Sequence, residues 1–157
     1  MEQKKLITLA YQAFSEFKKP EHSTDYQCCR ECNEYDQLLK NVDRKNLTIE
    51  QIGTVCWGPV AVLLPEAMAY YMPRFIELAL MNVDNKDKDP YITQFINQIG
   101  HTPTSKAFSL FTSKHISIVA ETYKYINENY RKIVEDLCWD EDLDDAIKGW
   151  VANPIKH

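Results

Sequence analysis

From Thr112 to Cys138 the chain carries Ile116, Val119, Ala120, Tyr123, Ile126, Tyr130, Ile133 and Leu137 at steps of three and four, the spacing that lines one stripe of an α-helix. Such a helix is about 39 Å long at 1.5 Å per residue, enough to span a small domain. Thr112 or Ser113 stands where its cap belongs. The rest of the chain must pack against this rod, and three further stripes supply the means. Leu6, Ala10, Ala13, Phe14 and Phe17 form one over residues 2–17. Cys28, Cys32, Tyr35, Leu39 and Val42 form another from Tyr26 to Asn41, with Asp25 or Thr24 as cap and the cysteines turned inward. Leu143, Ala146, Ile147 and Trp150 form the last, between Asp140 and Val151.

Capping residues and prolines punctuate the middle. Thr48 and Gln51 have the spacing of a capping box, Leu47 and Ile52 that of a hydrophobic staple, and Gly53 is the exit of the short helix between them. Pro65 and Pro73 predict two successive short helices, because proline suits the first position of a helix and breaks its interior. Residues 82–89 read as a polar loop. Asp89 caps a helix that opens at Pro90, buries Tyr91, Ile92, Phe95, Ile96 and Ile99, and stops at Gly100. After His101 to Thr104, Ala107, Phe108, Leu110 and Phe111 make a short apolar helix or turn.

Only four glycines among 157 residues argue against a turn-dense β-sandwich. Thr54-Val55-Cys56 and Val60-Ala61-Val62 are the two weak strand candidates. The expectation is an all-α single domain over residues 1–157, a bundle of about six to eight helices around a long C-terminal helix. The uncharged stretch between Glu50 and Glu66 falls short of the roughly 20 residues a bilayer span needs, and Gly53, Gly58 and Pro59 interrupt it. No unbroken apolar signal core follows Met1 to Lys5, and five cysteines are an odd number, so a reducing cytoplasm is expected. A formal charge of −5 works against nucleic acid as a ligand.

Cys29-Arg30-Glu31-Cys32 contains a CxxC. Cys29 and Cys32 are therefore the candidate metal or thiol residues, with His22, Cys28, Cys56 and Cys138 able to complete a set. No second ligand pair and no βαβ unit accompanies them, so the reading is packing material: Cys28 and Cys32 in the core, Cys29 near its edge, with no metal and no cofactor. The histidines His22, His101, His115 and His157 are scattered, and none has a metal spacing. Glu66 with Tyr70 and Tyr71 sets an acid beside two phenols, read as interior tyrosines bonded through their hydroxyls. No nucleophile elbow, phosphate loop or dinucleotide fingerprint is present, so catalysis is not expected. Glu135, Asp136, Asp140, Glu141, Asp142, Asp144 and Asp145 put seven carboxylates into eleven residues, with Trp139 among them. A basic protein partner would dock on such a surface by charge complementarity.

Three stretches resemble an uncharacterised family of small bacterial proteins. Cys29-Arg30-Glu31-Cys32-Asn33-Glu34-Tyr35-Asp36 is similar to its C-x-E-C-x-E-H-D signature, with Tyr35 where the pattern has histidine. Trp57-Gly58-Pro59, Leu64-Pro65-Glu66-Ala67 and Tyr70-Tyr71-Met72-Pro73 are similar to its W-x-P and Y-Y-x-P block, which runs on into Leu78-Ala79-Leu80. Phe108 to Thr112 and Ala146 to Trp150 also fit. The resemblance carries over no catalytic residue.

The expected function is that of a protein-binding module, in its sharpest form an immunity-type inhibitor that neutralises a bacterial toxin by occluding its active site. Its partner would be a basic toxin domain. Two alternatives stand beside it: a metal- or thiol-dependent enzyme centred on the CxxC, and a structural homodimer.

Overall fold

Seven α-helices form the architecture of the described residues: α1 Gln3–Ala13, α2 Arg30–Leu39, α3 Ile49–Ile52, α4 Pro65–Leu80, α5 Tyr91–Ile99, α6 Ser113–Asp136 and α7 Asp140–Val151. The computed structural model describes residues 1–54, 57–81, 83, 90–100 and 103–152. The expected all-α bundle is what forms. Three 3-10 turns, Arg44–Asn46, Pro59–Val62 and Lys106–Phe108, link the helices. An isolated antiparallel bridge between Thr24 and Leu63 is the one β contact among the described residues.

One apolar core runs from Leu6 to Trp150. Its most deeply buried element is α4, where twelve of sixteen residues are buried, Ala67, Tyr71, Phe75, Ile76 and Ala79 among them, and only a narrow stripe with Glu66, Arg74 and Glu77 stays partly open. A helix with so wide an apolar face belongs inside a bundle. The longest helix, α6, instead buries one stripe, from His115 and Ile116 through Tyr123 and Ile126 to Val134, and lies against α1 and α7. Trp150 of α7 closes that end, its ring edge-on to Phe108 and its Nε1–H donating to the Ile99 carbonyl at the end of α5, 3.0 Å away. No helix of the described residues is long and apolar enough to cross a membrane.

Several predicted boundaries shift. Pro65 opens α4 as expected, but Pro73 does not start a second helix; it lies inside one sixteen-residue helix. Proline removes the N–H that would reach the Ala69 carbonyl, and burial of most of α4, Pro73 included, outweighs that loss. The 2–17 stripe ends as a helix at Ala13, with Phe14 buried in the turn beyond. α6 stops at Asp136, two residues short of Cys138, whose φ of 62° reverses the chain into α7. Val60-Ala61-Val62 is a 3-10 turn, not a strand. Asn82, residues 84–89 with the Asp89 cap, Val55, Cys56, His101 and His157 lie outside the described residues.

The short helix α3 follows its local signal closely. Thr48 Oγ1 accepts from Gln51 N–H while the Gln51 side chain accepts from Thr48 N–H, and Leu47 and Ile52 are both buried. Gly53 exits at φ 83°, and a Cβ there would stand 2.1 Å from the Trp57 carbonyl oxygen. That carbonyl accepts from Thr54 N–H at 2.7 Å, so the turn needs a residue without a side chain.

Candidate functional site

The helix expected from Tyr26 begins only at Arg30, and this late start makes the site. Neither Asp25 nor Thr24 caps it. Cys29 does, with extended backbone (φ −161°) and its Sγ accepting from Cys32 N–H at 3.4 Å. Upstream, Cys28 N–H donates to the Asp25 carbonyl in a tight turn. Because the chain is not helical at Cys28, that residue leaves the buried stripe: Cys28 and Cys29 are exposed and Cys32 alone is buried. The expectation of Cys28 as a core residue is therefore corrected. The turn and the first turn of α2 fold the three thiols toward one another, and their Sγ atoms all lie within 4.8 Å of each other.

The three sulfurs are not equivalent. The N–H of Cys32, pointing at the Cys29 sulfur, draws the Cys29 thiol below its ordinary range, as a helix start does for a thiolate. The Cys32 thiol is pushed up to about 11, first by its hydrogen bond with Cys29 and then by burial. Cys29 thus ionises before Cys32.

Asp36, one turn beyond Cys32, braces this arrangement. Its buried carboxylate accepts from Ser23 N–H at 2.7 Å and Thr24 N–H at 3.3 Å through Oδ1, while Oδ2 meets His22 Nδ1 at 2.7 Å. Burial pushes the Asp36 carboxyl up, but the bonds from His22, Ser23 and Thr24 outweigh it and hold the group below the usual carboxylate range. Thr24 Oγ1 donates to the Cys32 carbonyl at 2.6 Å, and Leu64 N–H donates to the Ser23 carbonyl. The segment that leads into Cys28 is therefore tied to α2 and to the chain before α4. His22, one of the residues able from sequence to complete a ligand set, stands instead in the brace, its ring stacked on Tyr26 at 4.1 Å. Cys138, exposed beyond α6, is not among the clustered thiols. Tyr35, at the position of the pattern's histidine, donates to Glu31 at 3.0 Å. Asp36 closes the motif of the resemblance, but no role was expected of it; the signal for one is that it stands four residues after Cys32, on the same helix face.

The acidic segment is less negative than its composition suggests. Arg131 holds Asp144 with two bonds, 2.5 and 3.2 Å, and Glu135 with a third at 3.0 Å. Lys132 pairs with Asp136, and Lys148 lies 3.5 Å from Asp145. Arg131 accordingly draws the Asp144 carboxyl down. Asp140, Glu141 and Asp142 remain without an ion-pair partner among the described residues, in the first turn of α7, where carboxylates also favour the helix dipole. Trp139 is partly buried against the core. Glu66 is exposed, while Tyr70 and Tyr71 are interior: Tyr70 Oη accepts from Arg44 N–H at 3.2 Å and Tyr71 donates to the Val42 carbonyl at 2.6 Å.

No family model, no curated protein and no solved structure matches this chain.

Proposed function

We propose that the protein binds a soft, thiophilic metal ion through Cys28, Cys29 and Cys32. The observation that supports this is the convergence of the three sulfur atoms to within 4.8 Å of one another on a braced helix start. Around a tetrahedral zinc, with Zn–S near 2.3 Å, sulfur atoms stand about 3.8 Å apart. Closing the thiols on an ion thus asks for a movement of about 1 Å. Thiolates select Zn²⁺ or Cu⁺ over Mg²⁺ and Ca²⁺, which prefer oxygen. Thiolates are the ligands, so binding the ion displaces thiol protons and affinity rises with pH. Two exposed ligands suit an ion that is taken up and released better than a buried staple, and free thiols suit a reducing cytoplasm.

The test is a titration of the reduced chain with Cd²⁺, whose thiolate bonds absorb in the ultraviolet. A break at one ion per chain is expected, with the absorbance per ion falling by about a third in Cys28→Ser if three thiolates are bound. Cys28 is exposed, so this change leaves the core intact. No break at one equivalent, or an unchanged spectrum in Cys28→Ser, overturns the assignment.

A second reading draws on the unpaired carboxylates of Asp140, Glu141 and Asp142. They would dock a basic protein domain, of the kind an immunity-type inhibitor occludes. Capture of a basic partner from the host that survives Asp140→Asn, Glu141→Gln and Asp142→Asn together removes this surface from consideration.

A further inference from the structure

A second feature, independent of the thiols, lies where the chain leaves α1 and where it leaves α2. A hollow of about 530 Å³ opens there, lined by four cations, Lys18, Lys19, Arg44 and Lys45, against one carboxylate, Asp43. The chain as a whole has 18 cations for 23 carboxylates, so this hollow reverses the sign of the molecule. None of its four cations makes an ion pair with a carboxylate among the described residues.

Two of the cations are fixed. Lys19 Nζ donates to the carbonyls of Leu39 (2.5 Å) and Val42 (3.0 Å) and to the Tyr71 hydroxyl (3.1 Å), which spends all three of its hydrogens. Burial draws its ammonium down, against the pull of Asp43 and Asp36. A charge held this way, desolvated and without a counter-ion in contact, gains from an anion placed nearby. The Arg44 guanidinium lies over the rings of Tyr70 and Tyr11, 5.1 and 5.7 Å from their centroids, and its Nη1 donates to the Phe14 and Tyr70 carbonyls. That grip sets the plane of the fork, and Nε and Nη2 have no acceptor among the described residues. Lys18 and Lys45 are exposed, with no hydrogen bond or ion pair of their own among the described residues.

We infer that this hollow binds a small molecule carrying a phosphate group. A planar guanidinium held by carbonyls and stacked on aromatic rings presents donors at the spacing of phosphate oxygens. The two exposed ammonium groups, Lys18 and Lys45, close on the remaining oxygens. Phe17 and Tyr70, also in the lining, offer an apolar wall for the organic part of the ligand. The volume lies within the range of small-molecule sites, about 300–1,000 Å³.

Calorimetric titration of the metal-free 157-residue chain with inorganic pyrophosphate at physiological ionic strength tests this. Saturable binding of one ion per chain is expected. Lys18→Glu and Lys45→Glu, both at exposed positions, each weaken it at least about tenfold with Tm unchanged, and Arg44→Lys, which keeps the charge but not the fork, weakens it similarly. Lys5→Glu, toward the opposite end of α1, leaves binding as it was. Absence of saturable heat, equal affinity for sulfate, or indifference to Lys18→Glu and Lys45→Glu overturns the proposal.

Discussion

His115 shows how one buried residue can serve as cap and as titrating group at once. Its Nδ1 accepts from Thr112 N–H at 2.9 Å, so Nε2 carries the hydrogen and donates to the Ala13 carbonyl at 2.9 Å, with Glu16 Oε1 at 3.0 Å. Phe14, Phe17 and Phe111 surround the ring. Desolvation lowers its pKa in spite of the Glu16 charge. The unfolded chain, with an ordinary histidine value near 6.5, therefore binds the proton first as pH falls. Stability is full above that value and declines as pH drops below it. Urea denaturation at pH 7 and pH 5 should show the decline, and His115→Gln, which keeps a capping-box residue at the same position, should flatten it. Equal slopes for the two proteins would contradict the neutral, buried imidazole. Gly53 is the other sensitive single position. Gly53→Ala combines a left-handed backbone with a clash against the Trp57 carbonyl and should cost about 2 kcal/mol or more by the same denaturation measurement. A cost under about 0.5 kcal/mol would mean the turn relaxes freely.

At the scale of elements, legibility followed the strength of local chemistry. α3 and α7 fall where cap, staple and stripe predict them, because each signal lies within a few residues of the backbone it governs. α2 was misread because its cap is a cysteine, outside the Ser, Thr, Asp and Asn set that marks helix starts. Periodicity then carried the stripe one turn too far, to Cys28. α4 was misread for the opposite reason: proline is a strong local signal, and long-range burial overrode it. The magnitudes make this testable. A helix-interior proline costs about 3 kcal/mol relative to alanine, whereas trimming its ring to a methyl in the core loses about 1.6 kcal/mol for two methylenes. Pro73→Ala should therefore stabilise the fold by about 1 kcal/mol, read as a higher urea midpoint with unchanged slope. Destabilisation by that amount would show that the ring's packing matters more than the missing N–H.

On the scale of the whole molecule, the all-α class was legible because helical stripes recur along the chain and glycine is scarce. Which helix sits deepest was not legible, since periodicity reports one buried face and α4 is buried over nearly all of its surface, with only a stripe at Glu66, Arg74 and Glu77 partly open. Trp150 tests how tightly the ends of this core are joined. It touches Phe108, Phe111 and Tyr123 and bonds to Ile99, so Trp150→Ala should lower stability by about 3–5 kcal/mol. A loss below about 1 kcal/mol would place α7 outside the cooperative unit. The thiol site was half legible: the CxxC stood out, but its convergence with Cys28 depends on a turn that no spacing rule encodes, and on a brace from Asp36 that ties together segments distant in sequence. The account turns on that convergence. X-ray absorption at the metal edge of the zinc-loaded chain reads it most directly. The prediction is three sulfur neighbours at about 2.3 Å, reduced to two in Cys28→Ser; a first shell of nitrogen and oxygen alone, or the same sulfur count in the variant, would contradict it.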